Sequence, residues 1–472
     1  MDCFFTEDLW DLMVKETNVY ARQISTRSSS RNWVDVTRSD VQKYVGLRVF
    51  MGFHVLTSFR DYWASNPMDG GVVLPPLVMS RDKFESIQAH LHFSDNLDPR
   101  AKTDKYWKLK PLIEILDERF RSVYVPTQKV CIDESLYLYR GRHHAVQFIP
   151  TKRSRYGLKV FKLCESNGPA TGYTSAFSVY MGGQSSKPKK KDQLISYKQT
   201  MDLLKRANLL DKNYILYTDN WYTSPALFHD LQARKTAAVG TVNMGRKFMP
   251  SLEVDKKKQV LDWASSSTGM LAISWFDSKR VNLLSTMHRN PDMQVVGVVP
   301  REGKPDKIVK KPQIILDYNL GKTGVDVSDQ NTAYYQTRRK CVKWYQTLFW
   351  HLVDQAIVNA FLVWKNLCPT RAKASRLQFR KDLIGAWFGL DPQTARPRLR
   401  MPLLAGGSLD YDDHISEKGP AKVYRKCKWC SSAWKTRKDT RWRCAACLVY
   451  LCPGHCQKEY HKAQGNANDD SE

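Results

Sequence analysis

No stretch of eighteen consecutive apolar residues occurs in the chain, so nothing in it reads as a membrane-spanning helix. The most apolar helical candidate, 342–365, is broken by His351, Asp354, Gln355 and Asn359. The start, "MDCFFTEDLWDLM", does not read as a secretory leader: it is acidic and has no basic segment followed by an apolar centre. Acidic residues are scarce beside basic ones, 47 against 74, giving a net charge of +27 over 472 residues. An imbalance of that size points to a polyanionic partner, with Lys and Arg neutralising phosphates. A disulfide framework is excluded too. Cysteines number 11, an odd count, and most of them crowd into 427–456 beside histidines, the pattern of metal ligands in a reducing compartment. No internal repeat is visible.

What is present is a globular composition, 42% hydrophobic with 11% aromatic residues. The length exceeds what one ordinary core organises, so several domains are expected. Residues 1–125 read as helical: Leu9, Leu12 and Met13, then Val41, Tyr44, Val45 and Val49, recur at helix spacing. Ser80 is placed to cap a helix that begins "RDKFESIQAH". From about 127 the texture changes to short strands, "KVCIDESLYLY", "GLKVFKLCE" and "TSAFSVYMG". A helix, "SYKQTMDLLKRANLL", leads into the strand "YILYT", and a further helix follows, so 126–235 predicts an α/β layer. Residues 236–317 read as strands alone, ending in "PQIILDY", and form a β-rich insertion. Residues 318–389 return to the α/β unit with a long helix through Trp364, whose apolar positions make one face. Residues 390–424 read as a linker and 425–462 as a final module.

Three carboxylates stand out by context. Asp133 ends the strand "KVCID", Asp219 ends "YILYTD", and Asp326 follows the turn in "DYNLGKTGVDVSDQ". Asp is depleted in strands, and at a strand end it caps a turn or holds a ligand. Asp133 and Glu134 cannot share a task on one strand, because successive side chains point to opposite faces. Asp326 and Asp329, three apart at a helix start, face one way. Carboxylates gathered from neighbouring strand ends suit hard cations such as Mg²⁺ or Mn²⁺, a pair of which drives phosphodiester displacement. Each aspartate alone is equally well explained as a turn or cap carboxylate.

The C-terminal cysteines follow C-x2-C-x13-C-x2-C-x4-C-x2-H-C-x4-H. These spacings satisfy two tetrahedral Zn²⁺ ions with no ligand left over. A cross-braced arrangement puts Cys427, Cys430, Cys452 and His455 on one ion and Cys444, Cys447, Cys456 and His461 on the other; His455 and Cys456 are adjacent and able to exchange roles. The zinc is structural, since so short a segment has too little core to fold without metal. Between the knuckles, Lys435, Arg437, Lys438, Arg441 and Arg443 interleave with Trp434 and Trp442. That mixture suits DNA backbone contact or base stacking, and equally a solvated basic face or a protein-binding finger. Arg140, Arg142, Lys152, Arg153 and Arg155 lie near Asp133, and Arg338, Arg339 and Lys340 follow the third acidic block; both groups are placed for phosphate. "SSKPKKKDQ" (185–193) reads as a nuclear import signal, a phosphate contact or a solvated loop.

The blocks "CIDESLYLYRGR", "YTDNWYTSPALF", "SKRVNLLSTMH" and "DYNLGKTGVDVSDQNTAYY", followed by "KWYQTLFWHLVDQAIVNAF", resemble those of piggyBac-family transposases and their domesticated derivatives. The likeness runs in order from near Met1 to the C-terminal cysteines. It implies an α/β, RNase H-like catalytic core interrupted by a β-rich insertion, a helical N-terminal region serving dimerisation or DNA binding, and a cross-braced zinc domain that binds element-end DNA. It further implies Asp133, Asp219 and Asp326 as a metal-binding triad with Asp329 as a fourth carboxylate. The activity implied is cut-and-paste transposition at TTAA by a nuclear homodimer on double-stranded DNA. The alternative is a catalytically silent DNA- or chromatin-binding descendant. In two respects the chain departs from the family. Thr323-Gly324 replaces the usual Gly-Gly before the third aspartate, and the family's long acidic N-terminal region is not among the residues read here.

Overall fold

The structure, a computed structural model, describes residues 2–390 and 416–465 except 26–32, 65, 67, 69–71, 151–154, 183–188, 254–260, 277–278, 302–303, 338, 340, 368, 372, 420–422 and 446. It divides into two compact units, Met1–Ala395 and Arg396–Glu472.

The first unit opens with helices α1 (Glu7–Ser25), α2 (Arg38–Phe53), α3 (Leu74–Val78), α4 (Arg81–His90) and α5 (Lys110–Val123). Their starts are set locally. Thr37 and Asp40 form a reciprocal capping box on α2, and Ser80 accepts from the Lys83 amide at the head of α4, as its position predicted. Leu9, Tyr44, Phe84, Leu112 and Phe120 from these helices, with Phe4 just before α1, share one core cluster with Tyr137, Leu158 and Phe177 of the sheet below.

That sheet follows from the alternation of short apolar runs. It comprises β1 (Lys129–Leu138), β2 (Val146–Phe148), β3 (Tyr156–Glu165) and β4 (Thr174–Val179), then, after α6 (Lys189–Arg206), β5 (Ile215–Thr218), and, after α7 (Pro225–Ala233), β6 (Ala237–Thr241). β7 (Leu261–Ser265), β8 (Leu271–Phe276) and β9 (Arg280–Ser285) extend the same sheet through β6–β9 pairing. β1 and β3 run antiparallel, while β1–β5 and β5–β6 are parallel, each parallel step made by a helical crossover. β10 (Met293–Arg301) and β11 (Lys304–Pro312) form a separate two-stranded hairpin.

"PQIILDY" departs from its sequence reading. It was predicted as a strand, but α8 (Gln313–Gly321) begins there, because Ile314, Ile315 and Tyr318 recur at helix spacing and pack on the sheet. α9 (Gly324–Ala333), α10 (Trp344–Asn366) and α11 (Arg376–Phe388) complete the unit. α10 was expected to bury one face. Instead every residue from Tyr345 to Leu362 is buried, and two of its polar residues are satisfied internally: Asp354 pairs with Arg380, and Asn359 bridges both backbone groups of Thr174.

The second unit is small: β12 (Ser416–Lys418), β13 (Arg425–Lys426), α12 (Lys428–Ala433), β14 (Asp439–Thr440), β15 (Trp442–Cys444) and α13 (His455–Gly465). Ser416–Lys418, inside the stretch read as linker, pairs antiparallel with β15.

Candidate functional site

Pleat parity decides which side chains of β1 meet. Val130 and Ile132 join the cluster beneath α6 and α7, whereas Cys131 joins the one beneath α8 and α9. Asp133 and Ser135 share the parity of Cys131; Glu134 has the other and accepts from the Tyr222 hydroxyl at 3.1 Å. On β5 the residues on the Cys131 side are Ile215 and Tyr217, so Asp219 continues that face. The parallel register pairs Ile132 with Thr218. Asp133 and Asp219 are therefore the next residues along neighbouring parallel strands, which lie ~4.8 Å apart.

The third aspartate arrives on α9. Val325 donates its amide to Cys131 Sγ at 3.2 Å, seating the first turn of α9 on β1. Gly324 makes this approach possible: a Cβ there would stand 2.5 Å from the Glu165 carbonyl and 2.8 Å from Cys131 Sγ. Thr323, where the family's first glycine falls, has φ −88 and ψ −5, open to any residue. The glycine retained is thus the one that sterics require. Asp326 is exposed one residue after Val325, and Asp329 lies a turn further on against β1 and β3.

Asp329 is committed to a specific contact. Its Oδ1 accepts from Ser135 Oγ at 2.5 Å and from Lys162 Nζ at 2.8 Å. Lys162, opposite Asp133 in the β1–β3 register, is fully buried, and its ammonium also donates to Gln355 Oε1 at 2.9 Å. Burial alone would lower the Lys162 pKa; Asp329 and the neighbouring Tyr137 and Cys164 more than reverse this, and the net shift is upward. Lys162 was missed in the sequence reading. The available signal was a lysine inside an apolar run: in "GLKVFKLCE" it shares a face with Val160 and Cys164 on a strand buried on both faces.

Asp219 has turn geometry, one of the two readings of its context, its Oδ1 accepting from the Trp221 amide at 2.9 Å. Arg246 ties the same turn down, donating to the carbonyls of Asn220 at 3.0 Å and Trp221 at 2.7 Å. Two phenols register the local charge. Tyr222 is raised well above its ordinary pKa by burial, then by Glu134, Asp133 and Asp219; Tyr318 is pushed up to about 12 by burial, with Asp219 and Asp133 adding to the shift. Cys131 is likewise raised by burial first and then by Cys164, so its thiol stays neutral under the carboxylates. Among the described residues, Asp133, Asp219 and Asp326 do not bring their carboxylate oxygens within 4.8 Å of one another; two cysteine-rich groups do reach that spacing.

Those two groups are Cys427, Cys430, Cys452 and Cys456, and Cys444, Cys447 and His461. The second agrees with the sequence assignment except for Cys456. The pairing is corrected here: Cys456, not His455, completes the first group, its Sγ lying 3.6 Å from that of Cys430. Both residues open α13, where consecutive side chains diverge by ~100°, so only one faces the cluster. His455 instead stacks on Trp434 at 5.7 Å. Four soft donors in one buried knot, and two thiols with an imidazole in the other, fit Zn²⁺.

The basic residues divide. Arg140 and Arg142 are exposed just beyond β1, and Arg155 is exposed before β3. Lys152, Arg153, Arg338 and Lys340 lie outside the described residues, as do 185–188; residues 189–193 open α6. Arg339 is an internal brace, donating to the carbonyls of Leu56 at 3.0 Å and Met51 at 3.1 Å and to the Tyr62 hydroxyl at 2.5 Å. In the second unit, Lys435 and Lys438 are exposed and Arg437 pairs with Asp439 at 3.3 Å. Arg441 and Arg443 are tied into the β12–β15 sheet through the Gly419 carbonyl and Glu417.

Comparison with known proteins fits this geometry. A family model described as transposase IS4 matches residues 2–361. Human PiggyBac transposable element-derived protein 3 is 27% identical over 98% of this chain and 75% of its own length. Human PiggyBac transposable element-derived protein 2 is 25% identical over the same shares. A piggyBac transposase solved by cryo-EM in a synaptic complex with hairpin DNA superposes with a TM-score of 0.70 at 21% identity, covering 96% of this chain and 94% of that one. The chain belongs to the piggyBac-type transposase family and has that family's fold.

Proposed function

We propose that the first unit is an RNase H-like core that cuts and joins DNA strands with divalent metal ions, and that the chain is a cut-and-paste transposase acting at TTAA. The observation that carries this reading is the placement of Asp133, which sits midway along β1 rather than at its end, beside Asp219, just past the end of the neighbouring parallel β5, on the face where the first turn of α9 presents Asp326. The order β4-β3-β1-β5-β6, with the first three strands antiparallel and the last two parallel, supports the RNase H-like assignment.

The donor set fits Mg²⁺ or Mn²⁺: the three aspartates offer only carboxylate oxygens, and the nearby Cys131 is neutral and engaged. Such ions, when bound, activate an attacking oxygen and stabilise a leaving one at phosphorus. The chain's own residues do the rest. The Trp221 amide and Arg246 orient the Asp219 turn. The start of α9 lends its amide dipoles to the acidic face beside Asp326. Lys162 neutralises Asp329, so that carboxylate serves to hold α9 on the sheet. Arg140 and Arg142 neutralise substrate phosphates next to β1. In the second unit two structural zinc ions hold a module whose Lys435 and Lys438 meet DNA. A homodimer in the nucleus is the assembly we propose, one subunit per element end.

The test is cleavage of a labelled duplex carrying TTAA beside the element's own end, native chain against Asp219→Ala. Cutting at the TTAA boundary that vanishes in the variant is the expected result. Salt-sensitive binding by both proteins with cutting by neither would instead establish the silent DNA-binding reading, the one that the "transposable element-derived" names of the human relatives keep open.

A further inference from the structure

The loop 242–250, "VNMGRKFMP", joins β6 to β7 and has one feature that packing does not explain. Val242 is buried, and Met244 and Met249 pack against the same cluster as Trp221. Phe248 is 73% exposed, with its backbone at φ +69. A bulky side chain in the left-handed region is a steric outlier, normally replaced there by glycine or asparagine. Strain of this kind persists where the surrounding structure over-determines it, and it gathers at functional sites. Here it sends Met249 inward and Phe248 outward on consecutive residues. A single exposed apolar residue is ordinary. One held out by a strained backbone, on a loop bolted beside a carboxylate site, is not.

The bolt is Arg246. Its guanidinium grips the carbonyls of Asn220 and Trp221, the two residues that follow Asp219. The loop is closed on either side of it, by the Arg246 amide on the Asn243 carbonyl at 3.0 Å and the Met249 amide on the Arg246 carbonyl at 3.2 Å. Phe248 is thereby held two residues from a fixed contact with the Asp219 turn. Lys247 Nζ lies 4.7 Å from its ring centroid, setting a positive charge against the aromatic face. Phe148 and Tyr156, also exposed, differ in that they cover each other at 4.7 Å.

We infer that Phe248 is a base-stacking residue: its ring packs against a nucleobase of DNA held at the aspartate site, while Lys247 meets the adjoining phosphate. An aromatic ring beside a cation is the pair that takes an unstacked base together with its backbone, and an apolar side chain pushed between base steps works similarly in bent duplexes. The inference rests on the proposed DNA-cutting function and adds to it a named subsite.

The test uses the full chain in EDTA, so that no strand is cut, and a short duplex carrying TTAA with its adenines replaced one at a time by 2-aminopurine. Native protein and Phe248→Trp should change the fluorescence of at least one substituted duplex on binding. Phe248→Ala and Phe248→Gly should lose that change and bind about 5- to 160-fold more weakly, the range of one lost base stack. The glycine variant tolerates φ +69, and a thermal melt equal to that of the native chain is required to establish that its fold is kept. Equal fluorescence change and equal affinity in native and Ala proteins would overturn the inference and leave DNA binding standing, as would weakened binding with the fluorescence change intact. A native chain that binds no duplex at all would overturn the functional reading and this inference together.

Discussion

The aspartate face of the first unit and the thiol knots of the second are both candidate metal sites, but they are built in opposite ways. The thiol ligands come from one short stretch with almost no apolar core; Cys427, Cys430, Leu451 and Cys456 make up its buried cluster. There, with zinc bound as proposed, the ligands would be the fold, and metal binding and folding one event. The aspartates come from two strands and a helix spread over the middle of the chain, placed by a sheet and helices that are hydrophobic without them. Removing a thiol should therefore unmake structure, and removing an aspartate should unmake chemistry alone.

The largest expected effect breaks the second unit. Cys430→Ser should release zinc and abolish the folded signals of residues 416–465, read by zinc stoichiometry and NMR, because ~10 kcal/mol of binding energy is also folding energy. Cys456→Ser should act similarly, whereas His455→Gln should keep both ions. A reversed outcome for 455 and 456 would restore the pairing read from sequence order.

Next in size is the contact behind the aspartate face. Lys162→Met takes the buried donor from Gln355 and from Asp329, itself partly exposed, and should destabilise the first unit by about 3 kcal/mol in urea unfolding. Asp219→Ala, by contrast, should leave unfolding within about 1 kcal/mol of native. Equal losses for the two would erase the distinction between frame and chemistry.

The arginines sharpen the contrast within the first unit. Arg339→Ala should cost about 2 kcal/mol of stability, since it strips donors from two carbonyls and a phenol, and should leave the salt dependence of DNA binding unchanged. Arg142→Ala should leave stability alone and reduce the slope of log K against log salt by about 1.

The smallest effect is a pH dependence. Asp354 is wholly buried, and burial pushes its pKa up to about 6, with Arg380 and Thr337 opposing the shift. Between the ordinary aspartate value and about 6 the folded chain binds more protons at this carboxyl than the unfolded chain does. Its contribution to stability therefore falls as pH rises through that window and is flat above it. Asp354→Asn should remove that slope in melts taken from pH 4 to 7.

The thiol module was legible because ligand spacing along the chain is itself the constraint, and the aspartates were flagged because a carboxylate at the end of an apolar run is out of place in a strand. Parity predicted correctly that Asp133 and Glu134 would part company. Other features were not readable from local pattern. "PQIILDY" carries β-branched residues that suit a strand, and its short helical spacing prevails only with the sheet there to pack against. Arg339 sits in a basic run like any phosphate contact, yet the carbonyls that hold it come from the far end of the chain.

The sequence by itself determined the ligand types, the alternation that builds the sheet, and the surplus of positive charge. Those depend on side-chain chemistry and on neighbours within a few residues. Only the tertiary structure decided that Cys456 and not His455 turns toward Cys430, that Lys162 answers Asp329, and that Arg246 reaches the turn after Asp219. Each of these is a contact between segments distant in the chain, set by strand register, helix phase and backbone handedness, which no local spacing records.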